Sequence, residues 1–234
     1  MKRIQKGIWI FVFWVFHLDG GFAQTHLFRE SFAIGYMAGV PFSPSQFESY
    51  WKTGNGMSVS YGWAFSRRWA WVVEGGYLDF GLDGTNLRKE LNPYFGTTGP
   101  FSFSHGAWKM GLFRTGFRWI VSVPESPIRF FFQGMAGVYL SHQEKMLVSR
   151  KFSQETLKQR IALGGDEAIG GGSLGIGTDI SVFEQLFWWI CVEGHGVFTQ
   201  DQVDASDLMV ARFSRAQGKP SIVGMVRTGI QWIW

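Results

Sequence analysis

The chain has 234 residues, of which 31 are Gly, 18% are Phe, Trp or Tyr and one is Cys, with a formal net charge of +4. A lone Cys191 excludes an intramolecular disulfide framework and a Cys-rich zinc site, and with no Pro/Ser-rich linker or charge block the chain reads as one domain. Mean hydropathy near zero, with no long apolar run beyond the N-terminal segment, excludes a spanning helix. It does not exclude spanning strands, whose apolar positions recur only every second residue.

Lys2, Arg3 and Lys6 precede an apolar run from Ile8 to Phe16, followed by Gly21, Phe22 and Ala23. This is the pattern of a secretory signal peptide over 1–23, cleaved after Ala23, with a β domain over 24–234. The mature segment then keeps 19 basic residues (22 less those three) against 17 acidic (18 less Asp19), near +2. That balance, with no basic motif interleaved with aromatics, argues against a nucleic-acid partner.

From Glu30 to Val40, Phe32, Ile34, Tyr36, Ala38 and Val40 alternate with small residues, which predicts a first strand. Met57, Val59, Tyr61, Trp63 and Phe65 mark a second, and Trp69, Trp71, Val73 and Tyr77 a third beyond a tight turn at Arg67 and Arg68. A fourth runs over 105–121, with Phe113, Phe117 and Trp119 opposite Arg114, Gly116 and Arg118. Lys109 falls out of phase there, pointing to a bulge or a water-exposed end. Pro124 to Pro127 turns the chain into a fifth strand, where Ile128, Phe130, Phe132, Val138 and Leu140 face away from Arg129, Gln133, Gly137 and Ser141.

The segment 142–168 carries a Ser-capped, helix-like stretch from Ser153 to Gly164 with Leu157 and Ile161 one turn apart, so a short loop helix is expected there. The sixth strand sets Leu174, Ile176, Ile180 and Val182 against Ser173, Gly175, Gly177 and Asp179. The seventh sets Trp188, Ile190 and Val192 against Trp189, Cys191, Glu193 and His195. Ser221 to Trp234 forms the eighth, with Ile222, Val226, Thr228, Ile230, Trp232 and Trp234 on one face and Met225, Arg227, Gly229 and Gln231 on the other.

Long connections (41–53, 82–103, 142–168, 200–220) alternate with short ones (67–68, 124–127, 184–185). That asymmetry, the even strand count and the terminal aromatic strand resemble the small eight-stranded outer-membrane barrels, the OmpA-type transmembrane domain and its OmpX-like relatives. The resemblance implies an all-β, antiparallel up-and-down transmembrane barrel with short periplasmic turns and long extracellular loops, located in the bacterial outer membrane. It also implies lipid and lipopolysaccharide as surroundings, the barrel assembly machinery as a partner reading Val226, Thr228, Ile230, Trp232 and Trp234, and an unidentified extracellular partner for the loops.

Parity places Glu74, Arg114, Arg118, Arg129, Gln133, Asp179, Glu193, His195, Arg227 and Gln231 opposite the apolar set, hence in a polar, side-chain-filled lumen with Glu74–Arg114 and Glu193–Arg227 as candidate ion pairs. A soluble lipocalin-like barrel would have the reverse polarity. Trp69, Trp71, Trp119, Trp188, Trp232 and Trp234 gather near the short turns as a periplasmic aromatic belt. The expected role is structural or surface-interacting and non-enzymatic, with a narrow porin-like conduit and a lipid A-modifying enzyme as alternatives.

His142 and Glu144 share outward parity and are the pair on which an enzyme would rest; no serine signature accompanies them, and His105 reads as structural. Asp201, Asp204 and Asp207 lack the spacing of an EF-hand loop, so neither metal nor cofactor is expected. The basic residues of 145–160 are nearly balanced by Glu144, Glu155, Asp166 and Glu167, which leaves their partner open.

Overall fold

The computed structural model describes residues 29–43, 51–86, 89, 101–104, 107–121, 126–144, 146–152, 155–161, 166–197 and 221–234. Eight strands close a barrel: β1 (Arg29–Ser43), β2 (Gly54–Ala64), β3 (Trp69–Gly81), β5 (Ala107–Ile120), β6 (Ile128–Gln143), β9 (Asp166–Ser181), β10 (Leu186–Val197) and β11 (Ser221–Ile233). Every pairing is antiparallel, and each strand lies beside its sequence neighbours in the barrel until β11 returns to β1. No described helix is long and apolar enough to cross a membrane, so any crossing is made by strands.

The register is staggered. Stepping across paired residues one way from Met37 leads through Arg227, Cys191 and Gly177 to Phe131 on β6. The other way leads through Gly56, Leu78 and Met110 to Ser141, ten residues farther along the same strand (141 less 131). Closure with such a stagger requires tilted strands, and eight of them leave an interior that side chains fill. The short turns are tightly held: at 65–68, Ser66 Oγ accepts from the amides of Arg68 (3.2 Å) and Trp69 (3.0 Å). At 182–185 the Val182 amide donates to the Leu186 carbonyl at 2.8 Å.

Side chains alternate through the wall as the pleat dictates. Ile34, Tyr36, Met57, Val59, Phe113, Phe130, Phe132, Leu140, Ile176 and Val192 are exposed outward, while Glu74, Arg114, Arg118, Asp179, Glu193 and Arg227 are buried inside. Uncovered apolar surface of this extent with charge enclosed is the inverse of a water-soluble barrel and the arrangement of one whose outer solvent is lipid. The register of β5 runs without a break past Lys109, which sits at the strand's outer end beside Glu144, so no bulge is needed there.

A second sheet was not legible in the sequence. β4 (Phe101–Ser104), β7 (Met146–Phe152) and β8 (Glu155–Ile161) pair antiparallel in the order β4, β7, β8. The helix expected from Ser153 to Gly164 is therefore corrected over 155–161, which is a strand. Pairing with β7 satisfies its backbone groups across a hairpin, and a neighbouring strand outweighs a weak helical spacing.

Candidate functional site

Four side chains from four strands meet in the middle of the lumen. Glu74 (β3) accepts from Arg114 (β5) Nε at 3.1 Å and Nη2 at 2.7 Å, and its other oxygen pairs with Arg227 (β11) Nη2. Arg227 Nη1 donates to Glu193 (β10) Oε1 at 2.5 Å, and Arg114 Nη1 lies 2.6 Å from Glu193 Oε2, which closes the ring. Both expected pairs, Glu74–Arg114 and Glu193–Arg227, are thus sides of one cyclic quartet with two positive and two negative charges. Ser173 accepts from Arg114 at 2.7 Å, Ser58 from Arg227 at 3.3 Å, and Gln133 donates to Glu193. His195 Nε2 stands 2.9 Å from Glu193 Oε2, with the Tyr139 hydroxyl 2.9 Å from its Nδ1. Gly175 makes room for this ring: a Cβ there would lie 2.5 Å from Glu193 Cγ.

Toward the short turns lies a looser layer. Asp179 serves two cations, Arg129 at 3.4 Å and Arg118 at 3.9 Å, and Arg118 also donates to Gln231 (3.3 Å) and Gln133 (3.2 Å). Aromatic faces complete the coordination. The Arg118 guanidinium sits 4.1 Å above Phe131, Arg129 4.0 Å above Phe187, and, one level up, Arg227 4.9 Å above Trp189.

Above the quartet the lumen is apolar, which corrects the expectation of a polar interior throughout. Met37, Leu78, Phe80, Trp108, Met110, Leu112, Tyr139, Val223 and Met225 pack together with Trp51 from the connection before β2. Phe80 stacks on Trp108 at 4.4 Å, and Trp108 Nε1 donates to Ser141 at 2.7 Å. Large apolar side chains meeting across the bore expel water and cap the quartet from the long-loop side. Phe80, Trp108 and Tyr139 share parity with Glu74, Arg114 and Gln133, so extending that parity would have found them.

On the exterior, Trp71, Trp119, Trp188, Trp232 and Trp234 are exposed at the short-turn end, and Trp69 is half-buried against Trp119, ring centroids 6.1 Å apart. Trp63 stands with them, opposite Glu30 at the end of β2, although its position one strand end from the turn was the only signal. Val226, Ile230, Trp232 and Trp234 face outward along β11, while Thr228 is half-buried and accepts from Trp188 Nε1 at 2.8 Å.

At the opposite rim His142 pairs with Asp166 and Glu144 with Lys109, so the structure does not join His142 to Glu144. The Lys109 ammonium, hydrogen-bonded to Glu144, holds that carboxyl below its ordinary value. Among the described residues no three His, Cys, Asp or Glu side chains converge as a metal site. The signal segment 1–23, His105, Lys145 and the Asp201, Asp204 and Asp207 cluster lie outside the described residues.

The side chains of the basic residues over 145–160 lie outside those described, as do those of Glu155 and of Phe101 to Ser104.

No protein-family model and no curated protein matches the chain. Among solved structures it is similar to Ail, the attachment invasion locus protein of Yersinia pestis, with 13% identity over 88% of this chain and 98% of that one and a TM-score of 0.46. It is similar also to Neisserial surface protein A (10% identity, 88% and 96% covered, TM-score 0.47) and to the outer membrane protein OprG from Pseudomonas aeruginosa (10%, 88% and 95%, 0.47). Likeness at this level adds nothing about role; the closed register of this chain's own strands defines its fold.

Proposed function

We propose that the chain is a non-enzymatic barrel of the bacterial outer membrane, exported through the periplasm, with a structural or surface-interaction role. The observation that carries this reading is the doubly closed bore, a charge-neutral quartet roofed by packed aromatics and methionines. A conduit needs a continuous wetted path, and none is offered by side chains that bond across the lumen. The apolar wall and aromatic belt support membrane residence, and the even strand count, which brings Glu30 and Trp234 to the same side as the short turns, supports the periplasmic assignment of that side. Purified protein in planar lipid bilayers is expected to give no reproducible single-channel steps; such steps would overturn the plugged-lumen reading. Cell fractionation is expected to place it in the outer-membrane fraction.

The surface role falls to the outer sheet and the long connections, because β7 begins within three residues of the end of β6 and so starts at the membrane rim. The outward residues Val226, Thr228, Ile230, Trp232 and Trp234 are read by the barrel assembly machinery. Deleting Trp232 to Trp234 is then expected to leave export intact and the chain uninserted, judged by heat-dependent gel mobility of the membrane fraction; insertion at the parental level would refute this.

A further inference from the structure

The membrane-facing wall is not evenly filled. Trp69, Trp119, Phe132 and Ile176 form one cross-strand row over β3, β5, β6 and β9, with Trp119 and Phe132 stacked 5.9 Å apart. In the next row Phe117 is followed by Gly134 and then by Leu174, which is 76% exposed. With no side chain at Gly134, the wall dips between an aromatic shelf and an aliphatic ridge, giving a groove of about 550 Å³, within the size range of small-molecule sites.

The groove opens beside a basic short turn. Arg67 and Arg68 are exposed and form no ion pair with a described residue, and Arg68 directly precedes Trp69 of the groove wall. The Arg68 carbonyl accepts from the Ile120 amide at 2.7 Å, which fixes the turn next to Trp119. The other short connections carry acids instead, Glu125 and Glu184. A groove walled by hydrocarbon and aromatic rings, one wall of which leads into a turn carrying two exposed arginines, is complementary to one class of molecule.

We propose that this groove and the 65–68 turn form a binding site for an anionic glycerophospholipid of the periplasmic leaflet. One acyl chain lies over Gly134 between Phe132 and Leu174, and the headgroup phosphate is held by Arg67 and Arg68. Arginine suits the second task because its planar fork engages phosphate oxygens in pairs. The proposal rests on the outer-membrane reading with the short turns in the periplasm, and its test separates the two.

The full chain, folded in detergent and checked by heat-dependent gel mobility, is incubated with phosphatidylglycerol or with phosphatidylcholine of the same acyl composition, and native mass spectrometry counts the lipid retained. A failure of the membrane-barrel reading appears in the mobility check, before any lipid is added. One phosphatidylglycerol per chain is expected, retained about tenfold better than phosphatidylcholine. Arg67→Ser with Arg68→Ser brings the two lipids level. Gly134→Leu fills the groove and removes both; a Cβ there meets only the end of the Leu174 side chain at 3.4 Å, so the barrel accommodates it. Gly170→Leu, on open wall with nothing within 4 Å of its Cβ, leaves retention unchanged. Equal retention of the two lipids by the parent chain, or phosphatidylglycerol retention that survives Gly134→Leu, would overturn the site. So would a dimer abolished by Gly134→Leu with lipid retention unaffected, which would assign the groove to a second copy of the chain.

Discussion

The two charged layers of the lumen solve the same burial problem differently. In the middle, Arg114 and Arg227, each 1% exposed, have two carboxylates between them, and every charge touches two of opposite sign. Nearer the short turns Arg118 and Arg129, 9% and 6% exposed, share the single carboxylate of Asp179 at longer distances and rest on Phe131 and Phe187. Where water is shut out on both sides, charge must be matched by charge; near the mouth, a ring face and partial hydration suffice. The quartet should therefore be brittle and the triad forgiving.

The largest expected effect is that of Arg227→Leu, which leaves Glu74 and Glu193 sharing one cation in a dry site. It should cost about 3–5 kcal/mol, read as a lowered urea midpoint in detergent, whereas Lys145→Leu should leave the midpoint near that of the parent chain. Next comes a double-mutant cycle on Glu74→Gln and Arg114→Met, expected to give a coupling of about 2 kcal/mol; the same cycle on Arg118 and Asp179 should give about 0.5 kcal/mol. Equal couplings would erase the distinction between the layers. Asp179→Asn alone should cost about 1–2 kcal/mol, since its cations keep their aromatic and amide contacts.

The smallest effect belongs to the rim. Because Lys109 depresses the Glu144 carboxyl, the pair's contribution is fully present above that group's ordinary value of 4.5 and is lost as pH falls below it through the depressed value. Its exposure makes the change small, and Glu144→Gln should remove only that acid-side slope from the stability profile.

Much of this was legible because lipid demands a strict pattern. Phe113, Phe117 and Trp119 outside with Arg114 and Arg118 inside can be read directly as an alternation, and the same reading brings Glu74 and Glu193 to the lumen. It was not carried into the roof of the lumen, where the contrast reverses: from Tyr77 to Phe80 and from Trp108 to Leu112 the inward residues are the apolar Leu78, Phe80, Trp108, Met110 and Leu112, while Asp79 and Lys109 lie on the outer face. The outer sheet failed for another reason: Glu155 to Ile161 carries a helix-compatible spacing, and only its hairpin pairing with Met146 to Phe152 makes it a strand. The cyclic form of the quartet was beyond reach as well, because parity says which side of the wall a residue occupies and stagger decides whom it meets.

Seven seams of the barrel join barrel strands that follow one another along the chain, and the eighth joins β11 to β1, where Glu30 and Trp234 exchange hydrogen bonds of 3.1 and 3.0 Å. That last seam bridges almost the whole polypeptide, so its closure carries the greatest loop entropy and has no local contact to nucleate it. The kinetic consequence is a chain that zips hairpin by hairpin and then waits. Until β11 finds β1, two strand edges with unpaired amides and carbonyls persist, and the lifetime of that open ribbon, more than the stability of any hairpin, sets how long the molecule is exposed to mispairing.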